Sequence, residues 1–207
     1  MITPRPEGVP APGPWSFHDH DLDALLDLFA RGAKGPGAGS LTALVTAAAA
    51  ALLTRAARLS SPAWDAGSAA AAQAEKLRSR ATPLVQVGAD AYAAALEQLE
   101  TGPCDLQERR DFTLGRALVE AAMVPLAIAE IAADTVELAV YVAEHGNPDL
   151  RPDAIGAAIL AEAACRAAVH LVEINLAVGS DEEHVRRGAE AIAAAADSLR
   201  RALAAVS

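Results

Sequence analysis

Alanine sets the frame for this chain. Apolar residues make up 53 % of the sequence but aromatic residues only 3 %. The apolar positions fall in long runs such as "LTALVTAAAAALL" (41–53) and "GAAILAEAACRAAVHLVEINL" (156–176). Alanine has the highest helix propensity and loses no side-chain entropy when buried. A core built from it closes only when helix backbones approach one another closely. No run alternates β-branched and polar residues as a half-buried strand does. The chain is therefore predicted to be all-α.

Breakers divide it into about six helices. Residues 1–16 are rich in proline and read as an arm, with Trp15 and Phe17 pinning its end, and residues 17–207 read as a single helical domain. A first helix is expected over about 20–31, with Leu22, Leu25, Leu26 and Phe29 on one face and Asp19 or Asp21 as its cap. A second runs from Ser40 to about Leu59, apolar nearly all round and hence central. A long third helix is expected over about 66–100 and a fourth over about 105–145. Pro125 is expected to kink or split the fourth. "HGNPDLRPD" stops it, a fifth covers about 153–178, and a sixth follows "GSDEEH". Short connections between long helices are the pattern of an up-and-down bundle. Alanine-rich helices with a flat apolar face also point to a homodimer.

Charge narrows the partners. The net charge of −10 and pI near 4.9 repel a nucleic-acid backbone or an anionic membrane on average. The most membrane-like stretch, "LTALVTAAAAALL", is too short for a span of about 20 residues and is followed by Arg55 and Arg58, and the N-terminus lacks the apolar stretch of a signal peptide. Cys104 and Cys165 form no metal-ligating cluster and no disulfide framework, so reduced thiols, a cytoplasmic setting and no metal are expected. Only Lys34 and Lys76 among the 17 basic residues are lysine. That skew suits bidentate carboxylate binding, or simply reflects base composition.

No nucleotide-binding, metalloprotease or nucleophile-elbow motif is present. Chemistry must come from polar residues on apolar helices. "GAKGPGAGS" (32–40) carries Gly35, Gly37 and Gly39 and ends at Ser40, where a helix N-terminus offers free N–H groups to an anion. It also reads as a plain helix connection with a serine cap. Asp153 opens the fifth helix. Glu162, Arg166 and Glu173 share one of its faces, either as a site or as an ordinary ion pair. Asn175 lies between Ile174 and Leu176, as structural glue or a ligand contact. His170 reads as a core histidine, and Tyr92 and Tyr141 as packing aromatics.

Three segments in register resemble the formiminotransferase-cyclodeaminase C-terminal family, which includes stand-alone methenyltetrahydrofolate cyclohydrolases. They are "LDALLDLFARGAKGPGAGSLTALVTAAAAALLTRAARL", "VEAAMVPLAIAEIAADTVELAVYVAEHGNPD" and "DAIGAAILAEAACRAAVHLVEINL". The resemblance covers about residues 20–205. It implies an all-helical homodimer that takes a tetrahydrofolate derivative as substrate and makes or breaks a C–N bond of its one-carbon unit. It also implies that Asp153 moves a proton or steadies the amidinium charge. Gly37, Gly39 and Ser40 would hold a polar or anionic part of the folate, and Arg166 would face its glutamate tail.

The chain departs from the family pattern at several positions. Ala38 replaces the middle glycine of the loop. Gln86 and Gly88 stand where relatives carry acids. Leu171 and Glu173 stand in place of an asparagine and an arginine. A divergent member with another small ligand, or a non-catalytic helical dimer, therefore stands beside the enzyme reading.

Overall fold

The computed structural model describes residues 21–30, 36–90, 107–176 and 182–206. In chain order the helices are α1 (Leu22–Ala30), α2 (Ala38–Ser60), α3 (Gly67–Ala81), α4 (Gln107–His145), α5 (Arg151–Leu176) and α6 (Glu182–Val206). Residues 84–90 are also helical, and a 3-10 turn, Pro148–Leu150, joins α4 to α5. The all-α architecture follows. The arm at 1–16, Gly35, Tyr92 and Cys104 lie outside the described residues.

α2, α4 and α5 form the centre, with α3 against α2 and α4, and α6 against α4 and α5. Their contact surfaces are mostly methyl groups. Ala43, Ala50 and Ala57 repeat at seven-residue spacing on α2, and Ala154, Ala157, Ala161, Ala164 and Ala168 line α5, all buried. Side chains this small let helix backbones come close, and dispersion then replaces the bulk that larger residues supply. α2 and the span Pro148–Leu176 are long and apolar enough to cross a membrane by length and composition, but they are the buried centre of this bundle.

Buried hydroxyls on these helices bond back to the carbonyl four residues earlier. Thr42 donates to Ala38 O at 2.7 Å, Thr46 to Thr42 O at 2.9 Å and Thr54 to Ala50 O at 2.8 Å. Ser60 donates to Ala56 O at 2.9 Å, and Thr135 to Ile131 O at 2.7 Å.

One expectation about a helix end needs correction, and one of the two outcomes expected at Pro125 is settled. The third helix does not run to residue 100, because α3 stops at Ala81. Pro83 cannot donate an N–H to continue the ladder. Thr82 closes the end instead, with its N–H and hydroxyl both donating to Arg78 O at 3.0 and 2.8 Å. The chain re-enters a helix at residue 84, where a proline just before the start is tolerated. Pro125, conversely, does not split α4. It is itself buried, between buried Ala122, Leu126, Ile128 and Ala129. Burial on both sides outweighs the roughly 3 kcal/mol cost of an interior proline.

The α4 stop is built from close contact. A Cβ on Gly146 would lie 2.6 Å from Val142 O and 2.9 Å from Ser60 Oγ, so only glycine fits there. The Asn147 N–H donates to Ser60 Oγ at 2.9 Å, tying the end of α4 to the end of α2. The Asn147 side chain then accepts from the Asp149 N–H at 3.0 Å and starts the 3-10 turn.

Candidate functional site

Three contacts fix how α2 and α5 run. A Cβ on Gly39 would lie 3.9 Å from Leu171 Cδ1, a Cβ on Gly156 would lie 3.8 Å from Leu52 Cδ2, and Arg55 pairs with Asp153. Residue numbers rise on one helix as they fall on the other, so the pair is antiparallel. The candidate residues therefore divide between two ends.

At one end lies the start of α2. Gly37 is the N-cap, with extended backbone and no side-chain cap bond. The expectation that Ser40 caps and opens this helix is corrected: the helix begins at Ala38, and Ser40 sits within its first turn. Leu41 N–H donates to Gly37 O at 3.3 Å, so the N–H groups of Ala38, Gly39 and Ser40 precede the intrahelical ladder. Gly37 and Gly39 take no left-handed conformation, and among the described residues an added Cβ would meet nothing within 4 Å at Gly37 and only Leu171, at 3.9 Å, at Gly39. The fold itself does not demand glycine at either position.

Ser40 is 1 % exposed, and its Oγ has no hydrogen-bond partner among the described residues. It faces Gly88, whose added Cβ would lie 3.5 Å from Ser40 Oγ and 3.6 Å from Ser40 N. Leu171 reaches the same end from α5, and half-buried Asn175 lies one turn further along. Gln86 bonds to Asp90 through Nε2 at 2.9 Å. Gln86 lies two residues, roughly 200°, around the segment from Gly88, so it points away from Ser40.

At the other end lies Asp153, in the first turn of α5 and ion-paired with exposed Arg55. Arg55 lies fifteen residues beyond Ser40 on α2, about 22 Å along the axis. Within one subunit Asp153 and Ser40 do not share a site. An open groove of about 460 Å³ sits beside this pair, between α2 and α3, lined by Thr54, Arg55, Arg58, Glu75 and Arg78. The hydrogen bond from Arg78 holds the Glu75 carboxyl below its ordinary range. The groove's three arginines stand beside two carboxylates, Asp153 on Arg55 and Glu75 on Arg78. The sequence reading missed it because Arg55 and Arg58 come from one helix and Arg78 from the next.

The α5 face resolves into pairs. Arg166 Nε donates to Glu162 Oε1 at 2.6 Å. Glu162 is only 8 % exposed while Arg166 is exposed, so the i,i+4 pair expected from the sequence forms with its acid buried and its guanidinium at the surface. Glu173 does not join it; its carboxylate lies 3.9 Å from His170 Nδ1. His170 is exposed, not a core histidine. Tyr141 packs at a tilt against Trp64 and His145, with ring distances of 5.4 and 4.5 Å, which agrees with a packing role. Among the described residues no group of three or more His, Cys, Asp or Glu is placed to hold a metal.

Residues 21–194 match the model of the formiminotransferase-cyclodeaminase family. The chain belongs to this family. The fold of formiminotetrahydrofolate cyclodeaminase from Thermotoga maritima, known from a crystal structure, is similar. The TM-score is 0.76 over 90 % of this chain and 93 % of that one, at 22 % identity. No curated protein matches the chain in sequence. Within the family frame, residues 36–40 and the "INL" end of α5 fall at one pole of the bundle, and Asp153 falls at the other.

Proposed function

We propose that this member of the family binds a folate-type ligand at the first turn of α2 and acts on an amidine-type C–N bond of its one-carbon unit. The reaction is that of a methenyltetrahydrofolate cyclohydrolase or a formiminotetrahydrofolate cyclodeaminase, carried out in the cytoplasm. One observation carries the reading: three N–H groups ahead of the helical ladder and a buried, unpartnered Ser40 Oγ stand together, beside two glycines the fold does not need.

Both reactions pass through a tetrahedral carbon held between two nitrogens. Each discharges an amidinium as the tetrahedral carbon forms, and each needs a group that carries a proton to the departing nitrogen. The α2 N-terminus would hold a polar part of the ligand. Asp153 carries the proton only if another subunit brings it there.

The outer face of α2 and α5 makes that possible. Leu41, Leu59, Ile159, Leu160 and Ile174 are each 41–53 % exposed along it. A second copy covers this stripe. A two-fold axis at the middle of α2 lays the helices antiparallel, which carries Asp153 of the partner subunit to the level of Ala43, about one turn from Ser40. Arg166, held by Glu162, serves the ligand's acidic tail less well than the Arg55–Arg58–Arg78 groove, which arrives with the same partner.

A second reading is binding without turnover. It is favoured by the Arg55 pairing of Asp153, which occupies the proposed proton carrier. The test is direct. Purified protein is added to methenyltetrahydrofolate and the methenyl absorbance followed, and ammonia release from formiminotetrahydrofolate is measured in parallel. Catalysed loss of absorbance or release of ammonia supports the enzyme reading. Tight binding with neither supports the second, and no binding of any reduced folate rejects both.

A further inference from the structure

The outer face of α4 carries two adjoining hollows. One, of about 590 Å³, lies between α4 and α6, and the other, of about 370 Å³, lies between α3 and α4. Asp134 and Glu137 line both. Each other carboxylate that lines them is held by an arginine of the same chain, Glu130 by Arg187 and Asp134 by Arg80 among them. Glu137 is the exception. It stands on the same face of α4 as Glu130 and Asp134, and among the described residues no cation pairs with it. This is one unanswered carboxylate, not an acidic patch.

Its neighbours in the smaller hollow are of a kind. Tyr141 follows Glu137 by one turn, so ring and carboxylate share a helix face. Gln73 reaches the same space from α3, and buried Leu138 gives it an apolar wall. Among the described residues neither the Tyr141 hydroxyl nor the Gln73 amide has a hydrogen-bond partner. The Tyr141 ring is held by its tilted contacts with Trp64 and His145, yet the residue stays 43 % exposed. A ring fixed in this way loses little freedom when a ligand covers it. A few polar groups that serve nothing inside the fold, converging beside aromatic and aliphatic walls, are the make-up of a ligand pocket.

The charge of the ligand follows. No basic residue lines the smaller hollow among those described, and Arg80 is taken up by Asp134 at 3.4 Å. A cation is drawn by the Glu137 carboxylate and by the face of Tyr141, which attracts positive charge within about 6 Å of the ring centre. The net charge of −10 adds a long-range pull of the same sign. A guanidinium suits the set better than an ammonium, because it is flat enough to lie on the ring and forked enough to grip a carboxylate. We propose that the hollow between α3 and α4 is a binding site for a guanidinium group, stacked on Tyr141 and held by Glu137, with the Gln73 side-chain carbonyl as a further acceptor. The site does not rest on the folate reading.

The experiment is a titration of the full chain, followed by ¹⁵N-amide spectra and calorimetry. The probes are N-acetylarginine amide, propylguanidine and N-acetylcitrulline amide, in which a neutral urea takes the place of the guanidinium. It is repeated for Glu137→Gln, Tyr141→Leu and Tyr141→Phe, with thermal melts on every protein. The expected result is that the two guanidinium probes shift the amides around residues 73 and 137–141 and that the citrulline compound does not. Affinity should fall about fivefold in Glu137→Gln and in Tyr141→Leu but hold in Tyr141→Phe, which keeps the ring. Glu137→Gln should melt within a few degrees of the parent, so its loss of binding is not a loss of fold. Tighter binding of N-acetylarginine amide than of propylguanidine assigns the group to an arginine of a protein partner. Equal or weaker binding assigns it to a free alkylguanidine, and either result upholds the site. Equal binding of the citrulline compound, no saturation at millimolar concentration, shifts confined to another part of the molecule, or unchanged affinity in Glu137→Gln overturns it.

Discussion

Cys165 shows how a single residue is read from its surroundings. It is fully buried on α5 beside the Glu162–Arg166 pair. Burial first, and the Glu162 carboxylate second, push its thiol from 9.0 to about 12, against the opposing effect of Arg166. The thiolate is the reactive form, so Cys165 is inert in the native state. The expected result is that iodoacetamide leaves the Cys165 peptide unmodified in folded protein and labels it in urea, as read by mass spectrometry. The folded thiol holds its proton to higher pH than the unfolded one. The stabilisation is therefore complete below about pH 9 and is lost as pH rises from there towards 12, with a slope of up to about 1.4 kcal/mol per pH unit. Denaturant melts of the parent and Cys165→Ala at pH 8 and 10.5 check this, since the variant lacks the component of the slope. Asp153 gives the opposite kind of prediction. Its partner Arg55 is more than half exposed, so the pair contributes at most about 1 kcal/mol. Asp153→Ala is expected to melt within a few degrees of the parent yet to lose about a hundredfold or more in turnover, the ordinary weight of a proton carrier. Full retention of turnover removes Asp153 from the mechanism.

The helices show which features local sequence reports and which it does not. Helix count, the central place of α2 and the stop at "HGNPD" were legible, because each rests on propensity, periodicity or a breaker within a few residues. Pro83 and Pro125 were not, because the same residue type had opposite outcomes. Pro125 is held inside α4 by buried neighbours, whereas Pro83 sits at an end that Thr82 closes. Packing decided both cases, and packing is not local. The candidate site was legible in part for the same reason. The loop and Ser40 are marked in one stretch, but Gly88 faces Ser40 from another segment, and the distance from Asp153 to Ser40 follows from the antiparallel register of α2 and α5. Gly146 tests that non-local layer. Gly146→Ala places a methyl group against Val142 O and Ser60 Oγ and weakens the bond from the Asn147 N–H to Ser60. A loss of about 1–3 kcal/mol in urea denaturation is expected.

At the scale of the whole molecule, one subunit presents donors at one pole, a carboxylate with three arginines at the other, and an apolar stripe between them. In the proposed two-fold pairing, unlike poles meet. Each of the two proposed sites then takes Ser40 from one chain and Asp153 from the other, and this has a consequence that no single-chain site shares. Ser40→Ala and Asp153→Ala proteins are each expected to be inactive alone. Mixed, unfolded together and refolded, they form heterodimers in which one site has lost both groups and the other retains both. About half of all dimers are mixed at equal input, and each carries one intact site of two. Roughly a quarter of the parent activity should therefore return, following from the symmetry of the interface. Sedimentation of the parent at the same concentration must show a dimer. If the mixture stays inactive while the parent refolds to full activity, Ser40 and Asp153 do not meet across an interface. The α2–α5 stripe would then have another occupant, and the proton carrier would have to be sought nearer the first turn of α2.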